Sequence, residues 1–183
     1  MKLVILDRDG VINYDSDAYI KSPEEWHPIP GSLEAIARMH REGFRIVVAS
    51  NQSGVGRGLF DTDTLMKIHL KMIDAVRAKG GDIDAVFYCP HTPDDDCECR
   101  KPKPGLFVEI ADRLKVSLNG VWVVGDDERD VVAARAVSAR PAFVRTGHGR
   151  RTLRKKRFEG VPVFDNLAAF ADALLAGALP VDP

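Results

Sequence analysis

Short apolar runs alternate along the chain with longer stretches in which apolar residues recur at helical spacing. The runs are Leu3 to Leu6 (LVIL), Phe44 to Ala49 (FRIVVA), Ala85 to Tyr88 (AVFY), Gly120 to Gly125 (GVWVVG), Pro141 to Val144 (PAFV) and Val161 to Phe164 (VPVF). They are too short for helices and lack a polar residue at every second place. They therefore read as strands covered on both faces, as in a parallel sheet. Between them, Leu33, Ile36 and Ala37 mark a helix capped by Ser32 and ending near Gly43. Leu65, Ile68, Met72, Ile73 and Val76 mark a second helix, stopped by Gly80-Gly81, and Phe107, Ile110, Ala111 and Leu114 a third, for which Pro104 suits the first turn. A short Ala-rich helix over Val131 to Val137 and a last one carrying Leu167, Phe170, Ala171, Leu174 and Leu175 complete the pattern. Strands alternating with helices predict an α/β fold.

Two stretches keep no period. Tyr14 to Pro30 holds Asp15, Ser16, Asp17, Tyr19 and three prolines, a long loop for a compact domain and hence a candidate for substrate contact. Arg145 to Arg157 is rich in Arg and Lys and reads as a solvated loop, from which Arg150 and Arg151 could draw in a phosphorylated ligand.

Composition changes this picture little. A chain of 183 residues, 45% apolar and 29% charged, predicts one domain over 1–183 with a real core. A net charge of −1 gives no global attraction to nucleic acid or anionic membrane. No run approaches the ~18 apolar residues of a membrane span, and Met1-Lys2 leads straight into a strand rather than a signal peptide. A cytoplasmic monomer is expected. Cys89, Cys97 and Cys99 are odd in number and share one loop, which argues against a disulfide framework.

The chemistry gathers where strands end, the edge at which open α/β sheets bind ligands. After the first strand come Asp7 and Asp9, separated only by Arg8 and followed by Gly10. Two carboxylates this close repel, so a screening cation suits them, and oxygen-only ligands favour Mg²⁺; a solvated Asp pair in a turn is the plain alternative. After the second strand, Ser50-Asn51-Gln52-Ser53-Gly54-Val55-Gly56-Arg57-Gly58 offers hydroxyls, backbone N–H groups and Arg57 to an anion. No dinucleotide fingerprint or P-loop lysine accompanies it. After the third, Cys89, His91, Cys97 and Cys99 form C-x-H-x5-C-x-C, three thiolates and an imidazole, the donor set of a closed structural Zn²⁺ site. Arg100-Lys101-Pro102-Lys103 follows, a proline-stiffened cationic turn suited to a phosphoryl group. After the fourth, Asp126 could complete the metal site begun by Asp7, with Asp130 one helical turn on to brace it. His27, His40 and His69 read as satisfied surface or packing residues.

Asp7-Arg8-Asp9-Gly10, Ser50, a lysine after the third strand and Gly125-Asp126 together resemble the four motifs of haloacid dehalogenase (HAD) superfamily phosphatases. D-R-D-G-V-I-N, S-N-Q-S-G, C-P-H with C-x-C-R-K-P, and R-T-G resemble more closely the heptose-1,7-bisphosphate 7-phosphatase family, over Leu3 to about Gly149. The resemblance implies a Rossmann-like three-layer sandwich, capless, with a mostly parallel central sheet and a zinc-bound loop at 89–99. It implies that Asp7 is the nucleophile and that Asp9 is the general acid and base. Ser50 and Lys101 would stabilise the phosphoryl oxygens. Mg²⁺ would be held by Asp7, Asp126 and the Asp9 backbone carbonyl. Arg100, Asn51, Gln52, Ser53, Asp15 and Tyr19 would contact a small sugar-phosphate substrate. Lys103 competes with Lys101 as the phosphate lysine; Arg-Lys-Pro is the matching triplet and favours Lys101. Asp127 stands where relatives often carry Lys or Ser, so its role is open.

Other activities fit the same motifs. Histidinol-phosphate phosphatases have a similar zinc loop, and the Arg150 to Arg157 run would suit a nucleic-acid 3′-phosphatase. A phospho-ligand binding module would keep the zinc loop but has no need of Asp7 and Asp9 facing an anion.

Overall fold

The computed structural model describes residues 2–179. In chain order its elements are β1 (Leu3–Leu6), α1 (Ser32–Arg41), β2 (Arg45–Asn51), α2 (Ser53–Gly56), α3 (Thr62–Arg77), β3 (Ala85–Cys89), α4 (Gly105–Leu114), β4 (Trp122–Gly125), α5 (Glu128–Ala136), β5 (Arg140–Val144), α6 (Gly149–Lys155), β6 (Val163–Phe164) and α7 (Leu167–Leu175). The strands form one sheet in the order β3-β2-β1-β4-β5-β6. Every pairing between its described strands is parallel, a stronger result than the mostly parallel sheet expected.

The LVIL run is buried at all four positions because helices cover both faces of the sheet. Val4 and Leu6 point to one side with Ile46 and Val48, against Ile36, Met39, Ile68, Met72 and Phe170. Leu3 and Ile5 point to the other with Val47 and Ala49, against Phe107, Ile110, Ala133 and Ala134. The alternation is the period of two that a strand imposes. Strand order reverses between β1 and β4, so their carboxyl ends flank the crevice where doubly wound sheets bind ligands. That reversal places the residues after Leu6 beside those after Gly125. No helix among the described residues is long and apolar enough to cross a membrane.

The structure corrects several sequence expectations. Ser32 does not cap α1. Gly31, at φ +85°, is the cap, and the Ser32 hydroxyl turns inward to donate to the Val11 carbonyl at 2.9 Å. The Arg145–Arg157 stretch is not all loop, since α6 forms within it and Lys156 pairs with Glu128. The glycine-rich segment is likewise more ordered than a loop. Ser50 and Asn51 extend β2 alongside Tyr88 and Cys89, and Ser53–Gly56 makes a helical turn. The Ala-rich helix begins earlier than Val131, because Asp127 caps it by accepting from the Arg129 N–H at 3.1 Å. His69 is not a satisfied histidine. It is buried beside Tyr88, neither ring nitrogen has a hydrogen-bond partner among the described residues, and burial pushes it down to about 3, so it is neutral.

Candidate active site

Four strand ends deliver the site. Asp7 leaves β1 with its N–H donating to the Val124 carbonyl at 2.9 Å, so the first and fourth strand tips are joined by backbone. Asp7, Asp126 and Asp130 each offer a carboxylate oxygen within 4.8 Å of the others, and all three are buried. The Asp126 carboxylate lies against two glycines. A Cβ built on Gly10 or on Gly147 would approach Asp126 Oδ2 to 2.1 Å, and both glycines hold positive φ. Burial, together with the neighbouring Asp130, raises Asp126 well above the ordinary carboxylate range. Burial likewise pushes Asp7 up to about 7 against the pull of Lys101. Anionic oxygens crowded and dried in this way are a site for a small hard cation, and the all-carboxylate donor set fits Mg²⁺.

Lys101 supplies part of the missing charge. Its ammonium donates to Asp130 at 2.6 Å and to the Ala49 carbonyl at 2.8 Å, and lies 3.1 Å from Asp7 Oδ1. Burial would lower its pKa, but the Asp130 and Asp7 carboxylates hold it above the ordinary lysine value. Asn51 fixes the backbone of this lysine from both sides, donating to the Lys101 carbonyl and accepting its N–H, each at 3.0 Å. Lys103 instead faces Asp96 and Glu98 at the surface, which leaves Lys101 as the lysine at Asp7.

Asp9 sits in different surroundings. Arg8, fully buried, forks onto it through Nε and Nη2 at 2.9–3.0 Å. Asn13 and Gln52 each donate to it at 2.8 Å. Burial acts to raise its pKa, but Arg8 and these donors outweigh burial and hold Asp9 below the usual carboxylate range. The same Gln52 amide reaches the buried Ser50 hydroxyl at 2.8 Å. Without a metal, two carboxylates one residue apart are thus pushed in opposite directions, Asp7 toward its protonated form and Asp9 toward its ionised one; a cation at Asp7 would favour its ionised form.

The cavity in front of these groups has a volume of about 220 Å³. Its walls include Asp7, Asp9, Asp15, Ser16, Asp17, Tyr19, Asn51, Gln52 and Ser53, with Arg57, Arg100, Arg129 and His148. Ser50 and Lys101 lie beneath, behind Gln52 and Asp7. Arg150 and Arg151 do not reach the cavity: Arg150 lines a separate shallow hollow with Arg145 and Arg154, and Arg151 an adjoining one beside Tyr14 and Asp15. Sequence reasoning missed Arg129 and His148. Arg129 stands in the first turn of α5, where an acidic residue is favoured, and that misplacement is the signal that could have found it. The carboxylates around it, Asp130 and Asp7 foremost, hold its guanidinium above the ordinary range in spite of burial. Asp127, open from sequence, caps α5, with its N–H donating to Asp130 at 3.1 Å.

Away from the carboxylates, Cys89, His91, Cys97 and Cys99 converge. Sulfur–sulfur distances of 3.0 to 3.6 Å, and 3.2 and 3.6 Å from His91 Nδ1 to Cys99 and Cys89, match the edges of a ligand tetrahedron. Zn²⁺ bonds of about 2.0–2.3 Å give edges of about 3.3–3.8 Å, close to all of these except the tighter Cys89–Cys99 pair at 3.0 Å. The three cysteines are free thiols, so the donor set fits zinc. Arg100 donates to the His91 carbonyl at 3.3 Å, which ties the cationic turn to this loop.

The HAD-hydrolase-like family model matches residues 98–170. A Pseudomonas putida protein named D-glycero-β-D-manno-heptose-1,7-bisphosphate 7-phosphatase is 53% identical over 96% of this chain and 100% of its own length. The crystal structure of D,D-heptose 1,7-bisphosphate phosphatase from Bordetella bronchiseptica, complexed with magnesium and phosphate, superposes with a TM-score of 0.95 at 54% identity, covering 97% of this chain and all of that one. The enzyme of that name from Burkholderia thailandensis gives 0.77 at 47% identity, over 96% and 99%.

Proposed function

We propose that this chain, which belongs to the family of D-glycero-β-D-manno-heptose-1,7-bisphosphate 7-phosphatases, removes the C7 phosphate of that bisphosphate. The product would be a precursor of nucleotide-activated heptose for lipopolysaccharide or surface-layer glycan. The relatives are named for the β anomer, and the β anomer is the proposed substrate here.

The observation that carries this reading is the buried set of Asp7, Lys101, Asp126 and Asp130 at the reversal of strand order, opening on a cavity walled by arginines. Asp7, Asp126 and the Asp9 carbonyl would hold Mg²⁺, which when bound would neutralise the carboxylates and the phosphoryl oxygens. Lys101 and Ser50 orient the phosphoryl group so that an Asp7 oxygen lies in line with the leaving sugar oxygen. The Asp7–phosphorus bond forms as the bond to the sugar oxygen breaks, and Asp9 gives that oxygen a proton. Water then attacks phosphorus, Asp9 takes back a proton, and inorganic phosphate and free Asp7 result. The donors around Asp9 favour its ionised form, the state needed for the second half. An arriving phosphate, itself anionic, favours the protonated form needed for the first. Arg57 and Arg100 would meet the phosphate that is not cleaved, while Arg129 stands nearer Asp130 and Asp7, and Asp15, Ser16 and Asp17 would meet the hydroxyls. Cys89, His91, Cys97 and Cys99 would hold structural Zn²⁺ and so help keep Arg100 and Lys101 in place.

The test is phosphate release with Mg²⁺ from the β- and α-anomers of heptose 1,7-bisphosphate and from histidinol phosphate. Preference for the β anomer by about tenfold or more in kcat/KM is expected; equal or better use of histidinol phosphate would reassign the substrate.

A further inference from the structure

The loop that carries Asp15, Asp17 and Tyr19 contains no long element of its own, yet it forms one side of the cavity. Its pose is held from outside. β5 lies next to β4, so the turn after β5 comes up beside Asp126. There the Thr146 hydroxyl donates to the Gly10 carbonyl at 2.6 Å, and the His148 N–H donates to Asp126 Oδ2 at 2.7 Å. Gly147 between them is pressed onto the same carboxylate, closer than any side chain would allow.

With its backbone pinned twice, His148 projects its ring from a fixed point. Nε2 lies 3.0 Å from Asp15 Oδ2 and 3.7 Å from Asp17 Oδ1, while Nδ1 lies 3.8 Å from Asp127 Oδ2. The other Asp15 oxygen accepts the Ser16 N–H at 2.7 Å, so both oxygens of this carboxylate are engaged. At the far end of the same loop, Tyr19 takes a left-handed φ of 65° and the Arg57 guanidinium stands 5.9 Å from its ring. Both the His148 and the Asp15 side chains are about four-fifths buried, at 23% and 21% exposure, so the contact is partly shielded from solvent screening.

We propose that His148 is a positioning residue that ties the Asp15–Tyr19 loop to the metal-edge carboxylate Asp126. The loop is thereby preformed around the part of the substrate that does not react. A preformed wall spares the substrate the ordering cost of the loop, so the tether acts on substrate binding more than on the chemical step. The kinetic side of this inference rests on the sugar-bisphosphate reading; the structural side does not.

The experiment compares the wild type, His148→Ala and His148→Gln as full chains with Mg²⁺ present. Glutamine keeps an N–H donor that can reach Asp15. In His148→Ala, KM for the heptose bisphosphate should rise about tenfold with kcat within about threefold, and His148→Gln should recover most of the loss. Without substrate, amide exchange over residues 15–20 should quicken about tenfold in His148→Ala and return toward the wild-type rate in His148→Gln. Unchanged exchange and unchanged KM would overturn the proposal. So would a fall in kcat at constant KM, which would place the effect on Asp126 and the chemistry instead. If His148→Ala does not fold, Asp15→Ala breaks the same contact from the loop side and is read by the same exchange measurement. A wild type inactive on the bisphosphate would overturn the substrate reading, and the exchange result would still decide the tether.

Discussion

The Lys101 ammonium lies 3.1 Å from Asp7 Oδ1, and both groups are nearly inaccessible to solvent. Asp130, 2.6 Å from the same nitrogen, holds the lysine at that place. The pair therefore places an aimed cation beside Asp7, the proposed nucleophile. Replacing Lys101 with Met should lower kcat by about 10²- to 10³-fold, the usual loss for a buried group that stabilises transferring charge. It also strands two buried carboxylates, so the protein should lose about 3–5 kcal/mol of stability in denaturant melts. Lys103→Ala, which cuts only exposed pairs, should leave both measurements within experimental scatter.

Asp7→Asn should abolish turnover of the bisphosphate, by about 10³-fold or more, because the amide oxygen is a poor nucleophile. The fold should survive. Burial already disfavours the charge on Asp7, so the metal-free variant should melt at the wild-type temperature or above it. Turnover at the wild-type rate would remove Asp7 from the chemistry.

The stability of the metal-free protein should depend on pH in a direction set by Asp7. Its pKa in the folded chain is about 7, against a reference value of 3.8. Between those two values the unfolded chain has released the proton and the folded chain still carries it. Stability therefore falls as pH rises through that window, because the native state binds more protons there. Asp126, also raised, adds to the same slope. Mg²⁺ competes with these protons, so the rise in melting temperature on adding Mg²⁺ should be small at about pH 5 and larger at about pH 8. A gain independent of pH would contradict a site built from these two carboxylates.

Removing zinc with a strong chelator should lower the melting temperature and impair activity together. The loop from Cys89 to Cys99 leads into Arg100 at the cavity wall and Lys101 beside Asp7, and the structure gives it few apolar contacts of its own. Cys97→Ser should reproduce the effect at reduced metal stoichiometry, measured by elemental analysis. Full activity in verified zinc-free protein would show that Asn51, Ala49 and Asp130 keep the lysine in place without the metal.

Much of this protein was legible in the order of its residues. The buried runs and helical spacings marked the strands and the principal helices, since burial on two faces leaves an unbroken apolar signature and burial on one leaves a period. Asp7, Asp9, Asp126 and the set Cys89, His91, Cys97 and Cys99 stood out because they are reactive types placed at strand ends or at ligand spacing. The basic stretch after β5 was less legible, because a short polar helix carries no apolar face to announce it.

What the linear chain determined by itself is the set of elements and the inventory of reactive groups each one delivers, both of which depend on local spacing alone. Tertiary structure decided which of those groups share an electric field. Asp7 and Asp126 meet because strand order reverses between β1 and β4. Lys101 is chosen over Lys103 because only it points under the sheet edge toward Asp130. Arg129 and His148 enter the cavity wall through the strand order, not through any motif. Charge interactions act across space and are strengthened by the exclusion of water, and neither separation nor burial is written in residue order.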